Sequence, residues 1–435
     1  MRISIVWALL ASLMAIGIPA EEPPREQAVY RDATVYPLID EMTERNEQLA
    51  EAARAKTDEI LAAIAEENEA REEAEGELRF DTSHIWRPAG PDAFISSWHF
   101  PPTPQYLTGS CWSFSITSLM ESEIKRLHGE EIKLSEMWTV YWEFVEKARG
   151  FIHRRGESVF GQGSEGNAFK RIWPKYGIVP RSSYEGVLAE DGRFDHSQLH
   201  RHMDSFLNWC KDNDLWDEQL ILSSIRAMLD RTLGPPPATV EWNGTSLTPQ
   251  QFLDDVCRID PDDYVDLQST LEQPFYSWGR FDVPDNWWFD EGYLNVPLDE
   301  WYDVLVRALE GGYTVSIGGD VSEPGMLGIE DIAVVPTFDV PPGFIDQSAR
   351  ELRIANGTTG DDHGNHAVGT LVHEGERWFL IKDSNRSSRL GEHKGYYMYH
   401  EDYVRLKMLT LAVHRDVVED LLAKAEERNE AAQGD

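Results

Sequence analysis

Apolar positions fall into three regimes along the chain. Between Ile39 and Glu77 they recur at helix-compatible intervals, including Met42, Leu49, Ala53, Ile60 and Ile64, among fourteen acidic and four basic residues and no proline. This predicts a long, solvated, weakly amphipathic helix or helix pair. From Cys111 onward, Trp112, Ile116, Leu119, Met120, Ile124 and Leu127 follow a helical period up to Gly129, a suitable C-terminal cap, so a helix starts at or just before Cys111. The segment from Trp112 to about Leu233 reads as mainly helical, whereas short β-branched and aromatic runs dominate from about Tyr313. Among those runs, Ala367–Val372 and Arg377–Asp383 flank Glu374-Gly375, a two-residue hairpin turn. Such a turn pairs positions whose numbers sum to 749, which sets His366 opposite Asp383. A second acidic helix closes the chain over Asp416–Ala432, with Val417, Val418, Leu421, Leu422 and Ala425 on one stripe. Helices followed by strands imply an α+β architecture in two lobes.

Composition narrows the classes of function. The 435 residues carry a formal charge of -37, yet 15 Trp and 15 Tyr supply surface for a real core, which argues against a disordered chain. So acidic a molecule repels phosphate backbones and anionic lipid headgroups, and neither nucleic acid nor a membrane surface is an expected partner. The first twenty residues have the form of a signal peptide: Arg2, an apolar run from Ile3 to Ile18, then Pro19-Ala20 before Glu21. Export with cleavage near Ala20, into the periplasm or medium, is therefore expected. Three cysteines in an oxidising compartment leave one unpaired. If Cys111 is the free one, Cys210 and Cys257 either pair or are small buried hydrophobes.

Cys111 begins a helix, where unpaired backbone N–H groups and the helix dipole favour a thiolate nucleophile. The same terminus offers a backbone donor to an oxyanion, and Gln105, six residues upstream across a glycine-containing turn, can supply a second. A lone cysteine at a helix start is more often structural, so the surrounding residues must decide.

Those residues resemble the papain-like cysteine peptidases. Gln105, five residues, then Cys111-Trp112-Ser113-Phe114-Ser115 preceded by Gly109-Ser110 is similar to their catalytic segment, and Leu134-Ser135-Glu136 and Gly163-Ser164-Glu165-Gly166 continue the likeness. Lys175-Tyr176-Gly177-Ile178-Val179-Pro180, Leu294-Asn295-Val296-Pro297 and Gly319-Asp320-Val321 are most similar to the bleomycin hydrolase and aminopeptidase C branch. The resemblance implies a catalytic histidine in a His-Ala-Val context, which is His366, with His363 as its rival. It also implies an orienting asparagine, at whose place Leu380-Ile381-Lys382-Asp383-Ser384-Asn385 carries Asp383, with Asn385 as the alternative. Gly163–Asn167 resembles the glycine-rich wall of the substrate cleft, with Ser164 replacing a cysteine that many relatives bridge; Glu165 is expected to face solvent.

The expected molecule is a papain-like two-lobe fold, a helical lobe plus a β-barrel-like lobe, with a large insertion and added acidic helices at both ends. Its organisation is a signal peptide at 1–20, an acidic helical segment at 21–80, a peptidase domain at 81–415 and a C-terminal acidic helix and tail at 416–435. Cys111, His366, Asp383 and Gln105 carry the chemistry on peptide or protein substrates, as aminopeptidase or endopeptidase, with no metal or organic cofactor; a homo-oligomer is left open. The alternatives are a thiol amidase or acyltransferase and a catalytically silent peptide-binding scaffold.

Overall fold

The computed structural model describes residues 25–74, 81–187 and 189–433. The expected signal peptide thus lies outside the described residues. Two compact units divide the chain, Met1–Leu78 and Arg79–Asp435. In the first, one uninterrupted helix, α1 (Pro37–Ala74), occupies the acidic segment, rather than a pair. Its apolar positions Met42, Leu49, Ile60 and Ile64 are all exposed, so the weak stripe buries nothing within this unit.

The second unit holds the helical lobe and the sheet. Helices α2 (Cys111–His128), α3 (Glu136–His153), α4 (Phe169–Tyr176), α5 (Ser197–Asp212) and α6 (Glu218–Leu233) pack around Leu119, Trp138, Tyr141, Phe169, Trp173 and Ile225, all fully buried. α2 ends as its sequence requires: Gly129 adopts a left-handed φ of 75° and its N–H reaches the Lys125 carbonyl.

The sheet has eleven strands. At its centre the strand His363–His373 lies between Val315–Gly319 and Glu376–Lys382, both antiparallel to it. Val315–Gly319 is flanked by Met408–His414, and Tyr396–His400 lies beyond Glu376–Lys382. Three further strands, Tyr264–Gln268, Tyr293–Asn295 and Ser277–Gly279, extend the edge beyond Met408–His414. Strands therefore begin well before Tyr313, contrary to the sequence reading. Tyr264–Gln268 alternates Val265 and Leu267 with Asp266 and Gln268, a strand pattern that the sequence reading passed over, yet all five residues are buried. One face of the sheet packs against helix Leu298–Glu310 and the closing helix Glu419–Gln433 through Trp301, Leu305, Leu421, Phe379 and Ile381. The opposite face buries Phe94, Val334, Val368, Trp378 and Leu380.

The hairpin forms as predicted, and then departs from the prediction. Glu374 and Gly375 both have positive φ, 50° and 94°, the backbone of a tight two-residue turn whose twist matches its strands. From His373↔Glu376 to Gly369↔Leu380 the pairs sum to 749. A bulge between Ala367 and Gly369 then changes the register to Ala367↔Ile381 and His366↔Lys382. The extra residue, Val368, is buried in the apolar cluster beside Trp378 and Leu380. A one-residue slip exchanges the faces of every residue beyond it.

Candidate active site

α2 lies along the central strand, and serine and glycine residues permit the close approach. Ser115 Oγ bonds the Ser316 hydroxyl at 2.7 Å and donates to the Asn365 carbonyl. A Cβ on Gly364 would sit 3.2 Å from the Trp112 Cα, so a side chain there would hold helix and strand apart. Successive strand residues thus meet the helix in order along its length: His363 meets Cys111, Gly364 meets Trp112, Asn365 meets Ser115, and His366 meets Ser118.

The structure therefore brings His363 to the thiol and not His366. His363 is buried; its Nε2 hydrogen-bonds Asp383 Oδ1 at 2.9 Å, leaving Nδ1 to face Cys111. Burial alone would depress its pKa, but the neighbouring Asp383 and Cys111 charges prevail and hold it well above the ordinary histidine value, as an imidazolium. His366, in contrast, points its Nδ1 at Ser118 Oγ, 2.8 Å away, in a pocket where Lys382 Nζ donates to the same hydroxyl at 2.7 Å. Burial, reinforced by Lys382, pushes His366 well below its usual value and leaves it neutral. Burial likewise brings Lys382 down to about 8. The expectation of His366 as partner of the thiol and of Asp383 is corrected on this geometry, and its physical cause is the bulge at Val368.

Asp383 thus serves His363 rather than the His366 it was expected to face, and Gln105 lies beside Ser384. Asp383 Oδ1 also accepts the Asn385 backbone N–H at 2.6 Å, so Asn385 supports Asp383 with its main chain. Gln105 is buried and fixed at both ends of its amide: Oε1 accepts from Ser384 Oγ and Nε2 donates to the Thr108 carbonyl, each at 2.6 Å. Its backbone N–H reaches the Ser384 carbonyl at 2.9 Å. A primary amide nitrogen has two hydrogens, so one remains for a ligand. Ser110 precedes the helix as N-cap; its carbonyl accepts the Ser113 N–H at 2.9 Å, and its side chain does not cap, so it does not compete for the Cys111 N–H.

The glycine-rich wall is held from behind by α3. Lys147 Nζ donates to the carbonyls of Gly161 and Gly163, and Glu143 accepts from Ser164 Oγ at 2.7 Å and from Trp287 Nε1 at 2.6 Å. Ser164 is thus tied to α3 by a hydrogen bond. Glu165 does not face solvent: only 5% exposed, it lines the cavity that Cys111, His363 and Asp361 share. Cys210 and Cys257 are both buried free thiols, and burial pushes each upward. Sequence reasoning passed over Asp361 as a site residue; its adjacency to His363 in the run Asp361-Asp362-His363 was the available signal.

The chain is 23% identical over 363 residues to Aminopeptidase W of Lactobacillus delbrueckii subsp. lactis, spanning 72% of this chain and 80% of that one. It is 22% identical over 374 residues to Aminopeptidase C of Lactococcus lactis subsp. lactis strain IL1403, spanning 75% and 84%. The crystal structure of PepW from Lactobacillus rhamnosis superposes with a TM-score of 0.63 at 19% identity, covering 79% of this chain and 86% of the other, which establishes the two-lobe papain-like fold. The aminopeptidase C resemblance read from the sequence is borne out. With residues 98–432 matching its model, the chain belongs to the Peptidase C1-like family and is a cysteine-type peptidase.

Proposed function

We propose that the protein is an exported aminopeptidase whose chemistry is carried by Cys111, His363 and Asp383, with Gln105 as oxyanion donor. The observation that carries this reading is the chain of contacts from the Cys111 thiol through the His363 ring to Asp383 Oδ1, at the open N-terminus of α2. The Cys111 thiolate attacks the scissile carbonyl carbon, and the negative oxygen is held by the Cys111 backbone N–H and the remaining Gln105 amide hydrogen. His363 gives its proton to the leaving amine as the C–N bond breaks, producing a thioester. Water, deprotonated by His363, then attacks the thioester and releases the acid and the thiol. Asp383 keeps the ring in the orientation that both steps require.

The names of the curated relatives, Aminopeptidase W and Aminopeptidase C, support cleavage after N-terminal residues. The apolar run Ile3–Ile18 supports export. Turnover of a fluorogenic peptide library, before and after alkylation of Cys111, tests the chemistry. Acetylated copies of the best substrates test the exopeptidase reading, and N-terminal sequencing of the protein recovered outside the cell tests cleavage near Ala20. Blocked peptides cut as fast as free ones would replace the aminopeptidase reading with an endopeptidase.

A further inference from the structure

The cavity beside Cys111 holds two carboxyl groups that the mechanism leaves without a role. Glu165 reaches it from the glycine-rich wall and Asp361 from the other side, two residues before His363. Glu165 Oε1 is buried and takes no hydrogen bond from a donor group, Oε2 takes a long one, 3.5 Å, from the Tyr293 hydroxyl, and the Glu165 and Asp361 carboxyls lie close enough to share a proton. Nearby cations are already engaged. Lys170 pairs with Asp266, Arg171 with Glu143, and His363 with Asp383, while Lys147 is bonded to the carbonyls of Gly161 and Gly163. Asp285 and Asp362, which also line the cavity, add negative charge.

Two acids facing one another in a buried site cannot both ionise at ordinary cost. Burial and then the Asp361 charge hold Glu165 well above the usual carboxylate range, and burial with Asp285 brings Asp361 up to about 7. A cation placed between them would replace the shared proton, relieve that repulsion and give Glu165 Oε1 a donor. The space is small, about 40 Å³, which at roughly 10–15 Å³ per water holds about three molecules. Tyr293, Ile317 and Leu411 are among its lining residues. The cavity has room for an ammonium group and a water or two beside Cys111.

We propose that Glu165 and Asp361 form a paired-carboxyl seat for the α-ammonium group of the substrate, so that the enzyme measures from the amine to the first peptide bond with carboxyl groups of its own cleft. This rests on the aminopeptidase reading and deepens it.

Affinity labels separate the two. A chloromethyl ketone alkylates the thiolate by forming a C–S bond as chloride leaves, so its rate reports binding beside Cys111 without turnover. For the full chain, inactivation by leucine chloromethyl ketone should be at least about tenfold faster than by its N-acetyl derivative, each rate being taken relative to iodoacetamide. In Glu165→Gln and in the double variant Glu165→Gln/Asp361→Asn that ratio should collapse toward one, through loss of the free-amine rate. Equal rates in the unaltered protein, or a ratio that survives both substitutions, would overturn the seat while leaving the peptidase intact. A preference for N-acetyl-lysine over N-acetyl-leucine chloromethyl ketone would assign the cavity to a side-chain ammonium and overturn it equally. Failure of iodoacetamide itself to modify Cys111 would remove the thiol peptidase reading, and the seat with it.

Discussion

Replacing each of two histidines three residues apart tests the site most directly. Cys111 and Ser118 lie seven residues apart on α2, about 10 Å at 1.5 Å per residue. His363 and His366 are three residues apart on an extended strand, again about 10 Å at 3.3 Å per residue. The two spacings match, so one histidine meets each end, and His366 is held about 10 Å from the sulfur, beyond any proton transfer. His363→Ala should therefore lower kcat by roughly 10³-fold or more, the scale of a lost general acid and base, equivalent to about 4 kcal/mol of barrier. His366→Ala should leave kcat per titrated active site within about threefold. It removes one of the two side-chain partners of the Ser118 hydroxyl, leaving Lys382, and should cost about 1–3 kcal/mol of stability. Steady-state kinetics normalised by thiol titration, with thermal unfolding of both variants, separates the effects. A folded His366→Ala protein without activity, beside an active His363→Ala protein, would refute the placement of the strand.

Asp383→Asn should retain much of the activity, because an amide oxygen can still accept from His363 and from the Asn385 N–H, whereas Asp383→Ala should lose far more and Asn385→Ala little; kcat/KM for the three gives the ranking. The raised pKa of His363 keeps the imidazolium above about pH 6.5, so its contribution to stability is complete below that pH and is lost as pH rises through the raised value. Asp383→Asn should accordingly move the alkaline limb of the kcat/KM profile to lower pH, and an unmoved limb would count against the pairing. Sub-stoichiometric iodoacetamide near pH 6, followed by peptide mapping, should label Cys111 ahead of the buried Cys210 and Cys257. Removal of residues 21–78 should leave a folded, active peptidase, judged by circular dichroism and turnover, since the second unit has extensive hydrophobic cores built from its own residues.

The parts legible in the sequence were those governed by local chemistry. The α2 period, its Gly129 cap, the Glu374-Gly375 turn and the 749 register beside it are each fixed by a few neighbouring residues. So are Cys111 at the helix start and Asp383 at the strand end. What escaped was decided at a distance. Val368 looks like any valine in a β run, and only its burial against Trp378 and Leu380 makes it the residue that leaves the ladder. Glu165 reads as a solvated acid next to glycine until Tyr293 and Asp361, far away in sequence, close around it. Strand Tyr264–Gln268 does alternate, but over only five residues, and its polar Asp266 and Gln268 are buried by partners distant in sequence.

Asp383 and Ser384 adjoin one another, and each grips a different part of the catalytic machinery. Asp383 steers the His363 ring, while Ser384 clasps Gln105 by side chain and main chain together. The proton donor and the oxyanion donor therefore share one mounting. A movement of this dipeptide, whether by thermal opening of the cleft or by a ligand prising the lobes apart, cannot disable one without the other. Loss of activity under such stress should be all-or-none, with no population that still acylates but fails to deacylate.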